Sequence, residues 1–349
     1  MNTNTIGKFL ILLKRLLFLA IILNGFMARS QNDTIVLSNG NMLVGEIKGL
    51  EQGVLILKTK YSDKDFNIKW HEVHEIRSSR YFITSLNGGN RYTSTVNSIK
   101  DRKGKVTLDY GVNSFEEDLT NIIYLDPIGK NRLSRLTVDI DVGLTLTKSN
   151  NYKEFTTNMS ANYAADKWKS SAFFNSVLSR QDNIEDLKRI DGNVDFIYFI
   201  PPHWFVNGAV EYLSNDEQKL DSRNTYRAGA GYFFKKTNEV HFGAGLGAAY
   251  IFEQYSTDAS KKNSSELYAG MEYELYDIGD FSVETSIIYY YSLVETGRFR
   301  VDMNAFLKYD LPLDFYVKTS LNYDYDSQPV EGASSADYIF QLSFGWEWN

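Results

Sequence analysis

The chain has 349 residues, 37 Lys and Arg against 44 Asp and Glu, and no Cys. The lack of cysteine excludes a disulfide scaffold, zinc–thiolate and iron–sulfur sites, thiol catalysis and a lipid-modified N-terminal cysteine. A net charge of -7 argues against general nucleic-acid binding, and a mean hydropathy of -0.33 excludes a helical membrane bundle. The 24 Tyr, 22 Phe and 24 Gly, with only 5 Pro, suit a β-rich protein at a membrane interface.

Residues 1–30 read as a targeting segment. Lys8, Lys14 and Arg15 precede the apolar run Leu16–Leu23, and Ala28-Arg29-Ser30 places small residues at the -3 and -1 positions before Gln31. This is the grammar of a secretory signal peptide, with cleavage expected near Ser30–Gln31. The run is too short for a spanning helix, which needs about 20 apolar residues.

Residues 31–130 carry 13 basic and 13 acidic side chains, whereas 131–349 carry 20 and 31. Pro127-Ile128-Gly129-Lys130 is the expected joint between two domains. In the first, apolar runs flank Asn39-Gly40, a hairpin signal, and are followed by Gly53–Thr59 and by Phe66–Ile76 with Trp70, Val73 and Ile76. The same order returns roughly 49 residues later around Gly88-Gly89-Asn90, ending in Leu119, Ile122 and Leu125. The pattern predicts two small SH3-like or Sm-like β repeats. In Trp70-His-Glu-Val-His-Glu75, His71 and His74 are three apart, which is not the helical zinc spacing, and no third ligand lies nearby.

From residue 135 onward the period is two. Leu136–Leu146 sets Leu136, Val138, Ile140, Val142, Leu144 and Leu146 against Thr137, Asp139, Asp141, Gly143 and Thr145. Tyr338–Trp348 sets Tyr338, Phe340, Leu342, Phe344, Trp346 and Trp348 against Ile339, Gln341, Ser343, Gly345 and Glu347. About twelve such strands are expected, centred on 136–147, 154–164, 169–179, 189–199, 204–213, 224–234, 239–253, 265–276, 281–293, 298–309, 315–325 and 337–348. Each is near the roughly 9–11 residues that cross a bilayer when tilted, and an even number closes an antiparallel barrel. Short connections (165–167, 200–203, 235–238, 277–280, 310–314) alternate with mostly longer polar ones (180–188, 214–223, 254–264, 326–336). Outer-membrane barrels have short periplasmic turns and longer outer loops. Both chain ends therefore fall on the short-turn side, placing 31–130 in the periplasm. A soluble β-sandwich or lipocalin-like barrel is the competing reading.

The fold class is thus all-β: a signal peptide at 1–30, a periplasmic domain of two small repeats at 31–130, and a barrel at 131–349. The face opposite the apolar one carries Asp139, Asp141, Asp191, Asp195, Glu211, Glu272, Glu274, Glu284, Asp302, Asp324 and Glu347, against Arg227, Arg300, Lys308 and Lys318. An acidic lumen of this kind favours cations. No catalytic or metal site and no cofactor are assigned. His203 and His241 have no Ser or Asp partner in an evident constellation, and Gly243, Gly245 and Gly247 lie within a strand and not at a helix start. Glu272 and Glu274 read as pore-lining charge.

The signal segment, the small β repeats and a C-terminal barrel ending in Phe344-Gly-Trp-Glu-Trp348 together resemble the salt-induced outer-membrane protein family. That resemblance implies a bacterial outer-membrane protein of uncharacterised role. The partners expected are outer-membrane lipid and the barrel assembly machinery, with no nucleic acid. Two functions follow: a narrow cation-preferring channel or solute-uptake pore, or a plugged anchor whose repeats bind an envelope partner.

Overall fold

The structure is a computed structural model that describes residues 33–129, 132–182, 186–216, 220–256, 261–329 and 334–346. The expected signal peptide and its cleavage position lie outside them, as does Glu347. No helix among the described residues is long and apolar enough to cross a membrane.

The first part is one nine-stranded antiparallel sheet: β1 (Asp33–Leu37), β2 (Met42–Glu51), β3 (Val54–Lys58), β4 (Phe66–Lys69), β5 (Val73–Leu86), β6 (Arg91–Ser98), β7 (Lys105–Tyr110), β8 (Asn113–Asp118) and β9 (Ile122–Ile128). The expected 49-residue offset recurs in its pairing. Thr34 faces Arg77 and Ile83 faces Asp126, and the bulge between Val36 and Leu37 recurs between Ser85 and Leu86. The fourteen-residue β5 belongs to both halves, pairing β1 with its first part, β9 with its second, and β6 along both, from Arg77 to Ser85. Ile35, Ile47, Leu57, Trp70 and Ile76 join Phe82, Val96, Leu108, Leu119 and Leu125 in a single core cluster. The expectation of two separate small barrels is corrected to that extent: the strand they share merges their cores into one. Trp70 and Leu119, themselves 49 positions apart, meet directly where the indole Nε1–H donates to the Leu119 carbonyl at 3.1 Å. Asp33, fully buried, accepts from the Ile47 amide at 2.8 Å, the Ser78 hydroxyl at 2.5 Å and the Arg80 guanidinium at 3.2 Å.

The second part is a twelve-stranded antiparallel sheet in strict chain order. Its strands are β10 (Leu136–Thr147), β11 (Tyr152–Ala164), β12 (Trp168–Arg180), β13 (Leu187–Ile200), β14 (Trp204–Asn215), β15 (Leu220–Lys236), β16 (Val240–Tyr255), β17 (Lys261–Ile278), β18 (Phe281–Ser292), β19 (Phe299–Asp310), β20 (Phe315–Asp326) and β21 (Ala336–Trp346). Every expected strand is present. The largest departures in length are β15 and β17, of 17 and 18 residues, which extend into connections read as loops. Polar positions such as Ser222–Asn224 and Asn263–Ser265 continue the ladders there, because backbone pairing does not require an apolar side chain. Among the described residues β10 pairs only β11 and β21 pairs only β20, so the sheet is not joined end to end.

Candidate functional site

Register carries one face across the whole second sheet. Asp195 faces Ala209, Ala209 faces Arg227, Arg227 faces Ala249, Ala249 faces Glu266 and Glu266 faces Ser292. Because directly opposed residues share a face, strand alternation then brings the other charges onto the same side. Asp139 and Asp141 reach it through Ser160 and Asn158, and Asp191 through Asn175. Glu211, Glu272, Glu274, Glu284, Arg300, Asp302, Lys308, Lys318 and Asp324 follow by the same count of two. The fourteen charges expected on one face and described in the structure therefore share it. Gln341 and Ser343 join them through Ser320 and Lys318, while Leu342, Phe344 and Trp346 lie opposite and exposed.

The two faces are packed differently. Ala209, Ala249, Glu266, Tyr290 and Ser292 of the charged face are buried, whereas Val142, Val210, Phe234, Leu246 and Leu342 of the apolar face are exposed, Leu246 at 69%. This inverts the partition of a soluble domain.

Bases on the charged face are largely engaged. Arg227 pairs with Glu211, Arg300 reaches Glu266 at 2.7 Å, and Lys308 reaches Asp310 at 2.8 Å. Lys318 lies over the Tyr316 ring at 4.3 Å. Three cross-strand pairs carry like charges directly opposite each other: Glu274 and Glu284, Asp302 and Asp324, Lys308 and Lys318. Like charges so placed destabilise a sheet unless water or counterions screen them. Glu272, Glu274 and Glu284 border a cavity of about 210 Å³ with Ser286, Asn304 and Asn322. A second cavity of about 370 Å³ brings Asp139, Asp141 and Asp191 together near Asn158 and Asn175.

Sequence reasoning missed Glu266, which is 3% exposed, although it shares parity with Glu272 and Glu274 and could have been found by extending that count. It also missed Arg298, whose guanidinium bridges Glu295 and Asp326, the latter at 2.5 Å. Arg298 precedes β19 and carries no alternation signal. The hydrogen bonds that the Arg298 guanidinium donates to Asp326 and Glu295 outweigh burial and hold it above its usual range.

The short connections meet the nine-stranded sheet. A Cβ at Gly89 (φ +82°) would coincide with the Pro202 carbonyl oxygen, and one at Gly53 (φ +72°) would collide with that of Asn238. At both tips only glycine allows the positive φ and the close approach. The Asn238 side-chain amide donates to the Thr120 and Ile122 carbonyls at 3.2 and 2.8 Å. Thr93 hydrogen-bonds Asp166, which Arg135 also approaches at 3.6 Å. Arg91 of β6 stacks 4.3 Å from the centre of the Phe199 ring, and Lys236 lies 4.6 Å from that of Phe233. Burial pulls the Arg91 guanidinium below its ordinary value, against the opposing fields of Tyr124, Asp166 and Asp126.

Among the described residues no group of three or more His, Asp or Glu is arranged to hold a metal ion. His71 is exposed at a 3₁₀ turn beside Glu72, while Trp70 of the same turn is buried. His241 stands 3.6 Å from Glu274.

A family model described as a protein of unknown function, DUF481, matches residues 140–348, which spans the charged sheet from β10 to the chain end. No curated protein matches the chain.

Proposed function

Because the chain belongs to the DUF481 family, whose description assigns no activity, we propose a function from the site itself: a non-enzymatic outer-membrane β-barrel protein with a narrow, cation-preferring lumen. In this reading β10 and β21 complete the ring, the apolar face meets lipid and the charged face lines the lumen. The nine-stranded domain, as two SH3-like or Sm-like repeats, stands in the periplasm. The likeness to salt-induced outer-membrane proteins supports the same location.

The observation that carries the proposal is the trio of like-charge cross-strand pairs on one face. Such pairs are tolerated in an aqueous lumen, where water and mobile ions screen them, and lumen charge tunes selectivity. Phe205, Phe233, Tyr268 and Tyr290 share that face and narrow it. The test is conductance of the purified full chain in planar bilayers. Reversal potentials in a salt gradient should favour cations, and Glu272→Gln with Glu274→Gln should lower that preference while heat-modifiable gel mobility is retained. An assembled protein that is silent at every potential overturns the channel reading.

One observation favours the second reading, a plugged anchor that binds an envelope partner. The domain contacts three successive short connections, at Asp166, Pro202 and Asn238. Recovery of the protein from the soluble periplasm, and not from the outer membrane, would overturn both readings.

A further inference from the structure

The nine-stranded domain meets the sheet mainly through its second half. The 49-residue offset matches Gly89 with Gly40 and Arg91 with Met42. A Cβ at Gly40 would touch nothing within 4 Å, and Met42 is 59% exposed. Their counterparts, by contrast, are seated: Gly89 against Pro202, Arg91 on Phe199. Thr93, Thr120 and Ile122, from the same half, supply the remaining hydrogen bonds to Asp166 and Asn238. The second half of a duplicated architecture therefore supplies most of the docking contacts, joined by Gly53 of the first half against Asn238, while the first-half surface at Gly40 and Met42 is open.

The docked state combines hydrogen bonds with a small apolar contact. The domain's main core cluster lies wholly within 33–129, so the domain does not need the sheet to be packed. Across the junction Ile83 and Ile128 pack against Ala164 with Tyr124 beside them, and Leu86 and Ile123 line a small cavity with Phe199, Ile200 and Pro202. Arg91 stacks on an aromatic ring while its Nε and Nη2 are buried without a hydrogen-bond partner. Lifting the domain away would hydrate those donors, so docking carries a built-in opposing cost. Interfaces of this kind between parts of one chain permit relative motion. The ring beneath Arg91 belongs to an aromatic group on the charged face: Phe199 faces Phe205, and Phe205 stacks on Phe233 at 4.6 Å.

We propose that the nine-stranded domain is a movable cap over the short-turn mouth of the sheet, with Arg91 as the pin seated on the Phe199–Phe233 aromatic rim. The cap gates the lumen, and this role rests on the channel reading above. Opening lifts the second half of the domain from the connections at Asp166, Pro202 and Asn238 and withdraws Arg91 from Phe199.

Because the natural chain has no Cys, thiol chemistry reads this directly in the full-length protein. Ser85, buried at the junction beside Phe199 and Lys236, becomes the reporter Ser85→Cys. Val96→Cys, in the domain core, is the control. Ser85→Cys should alkylate with a maleimide at least tenfold faster than Val96→Cys, and adding Arg91→Ala should accelerate the first and leave the second unchanged. Equal protection of both sites, with and without Arg91, overturns the cap. In a separate variant, Thr93→Cys with Asp166→Cys, oxidation should silence bilayer conductance and reduction should restore it. Conductance that ignores the tether overturns the gate. Fast Ser85→Cys alkylation with no conductance in the reduced tether variant or the wild type overturns the channel reading and the gating role built on it, and leaves a mobile domain. Unchanged heat-modifiable mobility in each variant establishes that the barrel has assembled.

Discussion

The two sheets use the same alternating grammar and distribute it in opposite directions. In the nine-stranded domain Ile35, Ile47, Phe82 and Leu108 turn inward to a sealed core, and charges such as Glu75, Arg77 and Arg102 face water. In the twelve-stranded sheet Leu246, Phe234 and Val210 are exposed on one face, while Glu266, Arg227 and Arg300 are gathered on the other. Strand periodicity alone therefore says nothing about which face meets solvent. The surroundings decide: an apolar stripe demands an apolar neighbour, whether that is a second layer of protein or lipid.

The sharpest way to break this comparison is to remove apolar volume where it is enclosed. Phe82 is fully buried, and Phe82→Ala should cost about 3–5 kcal/mol by cavity formation. Hydrogen exchange of the domain amides should show that loss, while the amides of β13 to β20 keep their protection. Loss of protection in both sheets together would mean that they fold as one cooperative unit. The second test places charge on the opposite sheet. Leu246→Lys on the apolar face should cost roughly 2–4 kcal/mol near a bilayer midplane, and Ser286→Lys on the charged face much less. Refolding yield into lipid vesicles measures the difference, and equal effects would place the sheet in water.

Most of the strand plan was legible in the sequence because each strand pays its own local signature. β10 starts and ends where the alternation of Leu136 to Leu146 predicts, give or take the last residue. The shared face of the fourteen expected charges was legible too, since parity along a strand survives any change in how strands are joined, although Glu266 was passed over. How the two ends of the sheet meet was not legible, because a strand's own alternation carries no mark of which edge it would pair with. Nor was the merging of the two small repeats, which depends on β5 running unbroken from Val73 to Leu86 where a boundary between repeats was expected. The docking surface was hidden for another reason: Gly89 and Arg91 look like an ordinary hairpin turn and its first strand residue until Pro202 and Phe199 are brought against them.

A smaller effect sharpens the comparison inside the domain. Trp70 is buried in the shared core, and its indole N–H donates to the Leu119 carbonyl at 3.1 Å. Trp70→Phe keeps most of the packing and leaves that carbonyl without its donor, at about 1–3 kcal/mol. The loss should be confined to the domain, read from urea unfolding of wild type and variant side by side. No change in midpoint would mean that the contact between the two halves is incidental.

The smallest expected effect lies at the seam between the two regions and appears only as a pH slope. Asp126 of β9 is held above the ordinary carboxylate range, chiefly by burial, with Lys169 and Arg91 pulling it partly back and the nearby Glu51 adding to the rise. The folded protein therefore binds this proton more tightly than the unfolded chain does. The contribution of Asp126 to stability is complete below its unfolded pKa and is lost as pH rises through the raised folded value. Hydrogen exchange of the β9 amides should accordingly slow as pH is lowered through the upper carboxylate range, after correction for the intrinsic exchange rate. Asp126→Asn, which cannot ionise, should remove that part of the slope and leave β9 better protected than wild type at neutral pH. Identical slopes in the two proteins would show that Asp126 is charged throughout, held by Arg91 and Lys169 as a working ion pair across the seam, and not by burial against it.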